Sequence, residues 1–587
     1  MTLSASFPRP LLAAFTAALA LSACTRGAVP TTSVQNKSGS AVAKTASAAA
    51  PTATALPPDV PMPGPPKLTG PTAADATTAQ WYLKDPQLDK LPGTGTTRAY
   101  AEVLKNRTPT LVIVAVIDSG VDTAHVDLKP IFWTNTKEIP GNHIDDDHNG
   151  YVDDVHGWNF LGGADGRNIG DESLEVTRVV AKYRPRFKGK VRTAVPVAQR
   201  TEFDMYTKAE KAFAARIKQE KERAAQVDDM TGPLRMMVGA LKKDLNVERL
   251  DTATLRRATP SNANLTSLSR ALNQNLRQMG LADTDALEKE LANGAKEEQS
   301  MLDNSLNLSF NPRADIVKDN PDDVSQRNYG NNDLHGPDPL HGTHVSGIIA
   351  AVRDNGLGVQ GVAGPLVRIM TLRAVPNGDE RDKDVANAIR YAVDNGAKVV
   401  NMSFGKEFSP QRPAVEAAFK YAADHDVLLV HAAGNENDDL DLTNHYPAAL
   451  TLAGQPFPNL ITVGASGPHD DATLAAEFSN YSKRQVDVFA PGVQIYSTLP
   501  GSTYGTESGT SMASPVTAGV AATLKSYFPT LTAVQLKDII RRSAQVHHTQ
   551  VLVPGSTEKK VDFATLSNTG GVVDLYEAVK LAAQVAK

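Results

Sequence analysis

Short, uninterrupted apolar runs recur along the chain and restrict its fold class more than any other pattern. Runs of this kind lie at 111–117, 398–402, 427–432 and 461–463. Their length and composition predict strands that are buried on both faces. Helical stretches such as 384–395 and 413–425 separate the later runs. This alternation predicts an α/β protein with a mostly parallel sheet between two helical layers, whose functional residues lie where the strands end.

The charge balance excludes one class of partner. The 587 residues carry a formal net charge of −5, so no basic excess favours nucleic acid or an anionic membrane surface. We therefore expect no nucleic-acid partner. The chain has one cysteine, which cannot form an intrachain disulfide.

The N-terminal residues resemble an export signal. A mostly apolar stretch from Leu11 to Ala23 follows Arg9, and it is too short to span a membrane as a helix. It ends in Leu-Ser-Ala-Cys, which resembles the lipobox of bacterial lipoproteins, with Cys24 as the lipidated residue. We predict a signal peptide at 1–23 and membrane contact only through a lipid at Cys24. The alternative is ordinary signal cleavage that leaves Cys24 as a free thiol.

The export signal also predicts a location. We expect an outer-membrane lipoprotein or a cell-surface protein, and otherwise a periplasmic or extracellular one. Residues 24–71 are rich in Ala, Ser, Thr and Pro and have almost no large apolar side chain to bury. They are interpreted as a tether between the anchor and the folded part.

Three motifs carry groups suited to nucleophilic catalysis. Asp118 ends the first apolar run in Val-Ile-Asp-Ser-Gly, His341 opens His-Gly-Thr-His-Val-Ser-Gly, and Ser511 lies in Gly-Thr-Ser-Met-Ala-Ser-Pro. The order Asp, His, Ser differs from that of chymotrypsin-like enzymes, and the serine motif differs from the Gly-x-Ser-x-Gly of α/β-hydrolases. These motifs closely resemble those of the subtilisin-like serine peptidases. The resemblance implies a serine nucleophile, a histidine base and an aspartate that orients the histidine.

Further residues match the same family over 81–161 and 314–583. Asn435, in Ala-Ala-Gly-Asn, corresponds to the asparagine that stabilises the oxyanion, and 403–405 resembles the segment that pairs with the substrate backbone. The residues of that segment are Ser403, Phe404 and Gly405. His344 matches a structural histidine, and no cofactor is implied for the chemistry.

His445 precedes Tyr446-Pro447 at a position where the family often has a small residue. An imidazole there would shorten the pocket for the side chain that precedes the scissile bond. We therefore expect smaller or polar side chains to be preferred. The alternative is a shifted loop in which His445 faces solvent.

An acidic loop between 144 and 155 predicts a structural calcium site. Its oxygen-bearing residues follow the spacing of an EF-hand-type loop, although His156 stands where a bidentate glutamate is expected. Hard oxygen ligands favour Ca²⁺ over Zn²⁺. The alternative is a solvated acidic turn. The predicted ligands are Asp145, Asp147, Asn149, the Tyr151 carbonyl and Asp153.

A long insertion separates the aspartate and histidine motifs, which lie much farther apart than in most relatives. Within 162–312, apolar residues recur at helical spacing, as at Tyr206, Ala209 and Phe213. We predict a helical subdomain there, which divides the peptidase domain into 72–161 and 313–587. A dimerising coiled coil is the alternative, but the stripes are short for one.

Together these features predict an exported serine endopeptidase with a three-layer α/β/α subtilisin-like core, acting as a monomer on protein or peptide substrates. The rival hypothesis is a surface binding protein that keeps the fold without catalysis, because a fold does not by itself confer activity.

Overall fold

The computed structural model describes residues 80–279 and 281–586. The predicted signal peptide, Cys24 and the tether therefore lie outside the described residues. Within 80–279 and 281–586, none of the helices combines the length and the apolar character needed to cross a membrane.

A nine-stranded sheet forms the centre of the molecule, in the order β10-β13-β7-β6-β5-β4-β1-β3-β2. Strands β1 to β7 pair in parallel with one another, and β10 pairs antiparallel with β13 at one edge. The prediction of a mostly parallel sheet is confirmed. The strands are β1 Val112–Asp118, β2 Gly157–Asn159, β3 Val367–Arg373, β4 Val399–Met402, β5 Leu428–Ala432, β6 Leu460–Ser466, β7 Val488–Pro491, β10 Gln545–Val546 and β13 Gly571–Val572.

Two short antiparallel hairpins lie outside this sheet. Their strands are β8 Ile495–Leu499 with β9 Thr503–Glu507, and β11 Gln550–Leu552 with β12 Lys560–Asp562.

The longer helices follow in chain order. They are α1 Glu175–Phe187, α2 Arg200–Leu245, α3 Thr252–Arg257, α4 Ala263–Gln278, α5 Thr284–Ser300, α6 Leu340–Ala350, α7 Asp382–Asp394, α8 Arg412–Asp424, α9 Thr510–Tyr527, α10 Ala533–Ser543 and α11 Leu575–Val585.

Strand β1 shows why the apolar runs are uninterrupted. Val114 and Val116 pack into one core together with apolar residues of α6 and α9, whereas Ala115 and Ile117 pack into a second core with α7 and α8. Successive side chains point to opposite faces, so a strand between two helical layers must be apolar at every position. The three-layer arrangement predicted from the sequence is thereby confirmed.

The strand order reverses at β1. This strand lies between β3 and β4, so the chain runs to one side of β1 and then crosses to the other. Such a reversal leaves a crevice at the carboxyl ends of the adjoining strands, where α/β proteins bind their ligands. Asp118 ends β1 and Ser403 follows β4, so both lie at this crevice.

The predicted insertion is divided between two compact units of the structure. One unit contains 80–229 and 293–586, and the other contains 230–292. In the first unit, α1 and the first part of α2 share an apolar cluster with Phe408. Phe408 lies in the main body of the protein, defined as residues 80–161 and 313–586. The second unit has an apolar cluster of its own, built from residues such as Leu241, Leu272 and Leu287.

Candidate active site

Asp118 and His341 form a buried hydrogen-bonded pair. His341 is the second residue of α6, and its Nδ1 lies 2.7 Å from Asp118 Oδ1. The same oxygen accepts the Ser119 N–H at 2.8 Å. Gly342 allows the helix to approach the aspartate turn, because a Cβ there would clash with the Gly120 carbonyl and lie 3.1 Å from Asp118 Cβ.

This pair sets the protonation state of the imidazole. At 2.7 Å from a carboxylate, Nδ1 carries the proton and Nε2 of the neutral ring is an acceptor. Among the residues that the structure describes, Nε2 has no hydrogen-bond partner. Burial alone would lower the pKa of His341, but the negative charge of Asp118 and its hydrogen bond outweigh burial and raise it.

Ser511 lies at the start of α9, a helix whose residues 510–526 are buried on all sides. Its Oγ donates to the carbonyl of Ser403 at 3.3 Å. Pro515 has no N–H to donate to the Ser511 carbonyl four residues earlier. The Ser403 hydroxyl supplies that bond instead, at 2.9 Å. The first turn of α9 is thus joined to the segment that follows β4.

Asn435 is oriented by the residue before Ser511. The Asn435 Oδ1 accepts from the backbone N–H and from the hydroxyl of Thr510, both at 2.9 Å. The donor end of the amide, Nδ2, is therefore the opposite end. A Cβ on Gly509 would lie 3.6 Å from this Nδ2, which puts the amide beside the turn that carries Ser511.

His445 lies over two glycines rather than in solvent. Its side chain is 10% exposed, and a Cβ on Gly405 would clash with its Nε2. A Cβ on Gly434 would lie 2.6 Å from its Cε1. The imidazole therefore occupies space between the 403–405 segment and the 432–435 segment. Burial lowers the pKa of His445 to about 4, so the ring is neutral at pH 7.

The acidic loop brings together a set of carboxylates that differs from the predicted one. Oxygens of Asp145, Asp147 and Glu138 lie within 4.8 Å of one another. The carboxylate of Asp153 instead accepts the backbone N–H groups of Gly141 and His143, at 2.7 and 2.9 Å.

The other two predicted ligands also have contacts within the fold. Asn149 Oδ1 accepts the Tyr151 N–H at 2.8 Å, and the Tyr151 ring packs against Trp158. Neither contact involves the Tyr151 carbonyl, whose role as a ligand stays a prediction.

Sequence reasoning missed Thr510 and Glu138. Thr510 stands next to the serine inside the recognised motif, so its position could have drawn attention to it. Glu138 lies outside the acidic run and follows no ligand spacing, so only the folded loop brings it to Asp145 and Asp147.

The chain is similar to known serine peptidases in sequence. The sequence model of the Subtilase family matches residues 110–572. The chain is 44% identical over 187 residues to the thermophilic serine proteinase of Bacillus sp. (strain AK1), covering 32% of this chain and 42% of that protein. It is 38% identical over 206 residues to subtilisin of Bacillus pumilus, covering 35% and 70%.

Thermitase of Thermoactinomyces vulgaris is 41% identical over 187 residues, which cover 32% of this chain and 61% of thermitase. The chain spans about half the length of most of the curated relatives that it matches. Among solved structures, a cold adapted subtilisin-like serine proteinase is 32% identical with a TM-score of 0.32, covering 39% of this chain and 76% of that one.

Proposed function

This chain belongs to the subtilase family, and from that premise we propose that it is a serine endopeptidase that hydrolyses peptide bonds through an acyl-enzyme intermediate. The observation that carries the proposal is the buried Asp118–His341 pair, 2.7 Å apart, at the crevice where the strand order reverses. Ser511 lies in the first turn of the buried helix α9, and this turn is bonded to the segment after β4.

The proposed mechanism uses the tautomer that Asp118 selects. His341 Nε2 takes the proton of Ser511 as its Oγ attacks the scissile carbonyl, and it then gives that proton to the leaving amine. Asp118 keeps the ring oriented and stabilises the imidazolium that forms. For this step the Ser511 hydroxyl turns from the Ser403 carbonyl to the imidazole, a rearrangement expected when substrate binds.

Asn435 and the Ser511 N–H are proposed to hold the oxyanion. Because Thr510 occupies Asn435 Oδ1, the Nδ2 group is pre-set as a donor and need not reorient as charge develops. The segment Ser403–Phe404–Gly405 is proposed to pair with the substrate backbone as an added strand. No cofactor takes part in this proposed chemistry.

Specificity is proposed to depend on His445. Its ring lies between the two segments that flank the crevice, and it shortens the space available to the residue before the scissile bond. Smaller or polar side chains are then favoured there. The proposed substrates are proteins or peptides. The protein itself is proposed to be an exported monomer that is anchored to a membrane through a lipid at Cys24.

A structural calcium ion is proposed at Glu138, Asp145 and Asp147. These residues fit such an ion because they offer hard carboxylate oxygens within 4.8 Å of one another. Glu138 also accepts the N–H groups of Asp146 and Asp147, at 3.0 and 3.1 Å, which holds its carboxylate towards the loop. Bound calcium would neutralise these charges and stabilise the loop.

The test is covalent labelling with a fluorophosphonate probe, together with hydrolysis of a peptide substrate. Ser511→Ala and His341→Ala should each lower kcat by about 10⁶-fold, as in subtilisin itself, and the double variant should lose little more. Ser526→Ala, at the other end of the same helix, should keep full activity. A wild type that neither labels nor hydrolyses would favour the rival binding function.

A further inference from the structure

Lys406 directly follows the 403–405 segment and is almost completely buried. Its side chain is 2% exposed. The ammonium lies 2.9 Å from Glu175 Oε2 and 2.9 Å from Asp382 Oδ1, and it donates to the Glu380 carbonyl at 2.6 Å. The ammonium thus donates hydrogen bonds to Glu175 and to the Glu380 carbonyl, and it forms a further ion pair with Asp382.

Glu175, the first residue of α1, is itself held in place. Arg178 Nη2 lies 2.7 Å from Glu175 Oε2, and the Glu175 backbone N–H donates to Asp379 Oδ2 at 2.7 Å. Arg178 also donates to the carbonyls of Asp379 and Glu380, at 3.0 and 3.2 Å. Burial would raise the pKa of Glu175, but Arg178 and Lys406 outweigh it and lower the pKa, so the carboxylate is ionised.

The backbone of Lys406 joins the two sides of the pocket. Its N–H donates to the Tyr446 carbonyl and its carbonyl accepts the Tyr446 N–H, both at 2.9 Å. Gly405 precedes Lys406 and His445 precedes Tyr446, and the His445 ring packs on Gly405. A displacement of Lys406 would therefore move both the 403–405 segment and His445.

We propose that Glu175 positions the 403–405 segment and His445 through the buried ammonium of Lys406. This inference rests on the proposed function, because it gives helix α1, which carries none of the catalytic motifs, a role in positioning the proposed substrate-binding residues. Glu175 is a positioning residue, since its carboxylate contacts Lys406 and Arg178 and none of the reacting groups.

Loss of the Glu175 charge has a defined structural consequence. The ammonium would then be drawn towards Asp382 and towards the Glu380 carboxyl group, which is fully buried and, within the described residues, has no hydrogen-bond partner for either oxygen. Either movement shifts the Lys406 backbone away from its pairing with Tyr446. Substrate binding should weaken although every catalytic group is intact.

The experiment measures peptide binding in the Ser511→Ala background, where no hydrolysis interferes. The ligand is the acetylated tetrapeptide that binds this variant most tightly in a library, and its Kd is measured by calorimetry. Glu175→Gln is expected to raise Kd by about two- to thirtyfold. Glu175→Asp, which keeps the charge on a shorter side chain, should have a smaller effect.

Glu172→Gln is the matched control. Glu172 is equally buried and lies 3.0 Å from Arg381 in the same region, but it does not contact Lys406. The proposal requires Glu172→Gln to leave Kd within about twofold while melting temperature falls in both variants. Equal losses for Glu172→Gln and Glu175→Gln, or an unchanged Kd in Glu175→Gln, would overturn it.

Two safeguards keep the result decisive. If Glu175→Gln does not fold, the Glu175→Asp variant is compared with Glu172→Gln instead. Its shorter side chain moves the carboxylate away from the ammonium, so the proposal requires its Kd to rise more than that of Glu172→Gln. Hydrolysis of the same peptide by the wild-type protein, which keeps Ser511, is measured separately. An enzyme that binds peptide but never hydrolyses it would contradict the proposed function, whereas the Kd comparison alone decides the role of Glu175.

Discussion

Asp118 controls the basicity of His341 across a sequence separation of 223 residues. A buried imidazole normally has a low pKa, because burial disfavours its charged form. His344, three residues along the same helix, shows this effect, since burial lowers its pKa to about 3. The contrast between two histidines on one helix arises from the single carboxylate that contacts His341.

Asp118→Asn should move the acidic limb of the pH–rate profile. The reaction needs unprotonated His341, so kcat/KM falls as pH drops through the pKa of this histidine. Asp118 raises that pKa, so its neutral replacement should shift the limb to lower pH. The maximal rate should also fall, on the order of 10³- to 10⁴-fold. A pH profile of both enzymes on one peptide checks this, and an unmoved limb would contradict it.

His445→Gly should widen the range of accepted side chains. Removing the ring frees the space over Gly405 and Gly434, so larger residues before the scissile bond should gain kcat/KM relative to alanine. Profiling on a peptide library measures the change. His469→Gly, at an exposed histidine, is the control. The same preference in His445→Gly and wild type would show that the ring does not limit the pocket.

Among the elements, helix α9 holds Ser511, the proposed nucleophile, at a point where the hydrogen bonding of the helix is interrupted. Pro515 lies inside the helix and leaves the Ser511 carbonyl to the Ser403 hydroxyl. A helix buried on all sides cannot shift without disturbing the core, so this bond ties Ser511 to a rigid body. The same bond links α9 to the strand β4 that precedes Ser403.

The acidic loop should make thermal stability depend on calcium. At a hundredfold excess over Kd, binding to the folded state adds about 2.7 kcal/mol, so chelation should lower the melting temperature by ~5 °C. Asp145→Asn with Asp147→Asn should abolish that sensitivity. Asp146→Asn is the control, because Asp146 accepts from Ile139 and Asn142 instead. Identical melting with and without chelator would favour a solvated turn.

At the scale of the whole molecule, the chain between the two motifs divides into parts with different roles. Helix α1 contributes Glu175 to a buried ion pair with Lys406 of the main body. Its Arg178 donates hydrogen bonds to the carbonyls of Asp379 and Glu380. Residues 230–292 form a compact unit with an apolar cluster of its own. A segment with its own core can be removed without exposing the core of the remainder.

Replacing 230–292 with a short Gly/Ser linker should leave the enzyme folded. The ends to be joined are close, because Arg223 and Glu298 form a 2.9 Å ion pair. Activity on a short peptide should persist, with kcat/KM close to that of the wild type. Loss of this activity in a variant that still folds would show that 230–292 is needed for activity.

Deletion of the whole 162–312 segment is the contrasting variant. It removes Glu172 and Glu175 and leaves Arg381 and Lys406, which are buried in the intact chain, without these partners. Each such loss costs about 3–5 kcal/mol, so this variant should unfold in a calorimetric scan at a much lower temperature. A fully stable variant would mean that α1 is not integral to the main body.

Local patterns in the sequence were enough to predict the fold class and the chain order of the three site motifs. The apolar run before Asp118 required a strand buried on both faces, and a parallel sheet with two helical layers is what such strands build. The motifs around Asp118, His341 and Ser511 singled out these residues because each places a reactive group at the end of a predicted element, and because their order resembles that of the subtilisin-like peptidases. Local pattern is sufficient there, since each feature depends on residues adjacent in the chain.

Contacts between residues far apart in the chain could not be predicted from the sequence. Glu138 joins Asp145 and Asp147 because the loop folds back on itself, while Asp153 turns to backbone amides. Glu175 reaches Lys406 over 231 positions, and no spacing rule relates the two. Such contacts depend on how whole elements pack against one another. The free energy of burying an ion pair or a carboxylate cluster depends on all the elements that surround the charges, so it cannot be predicted from any single segment.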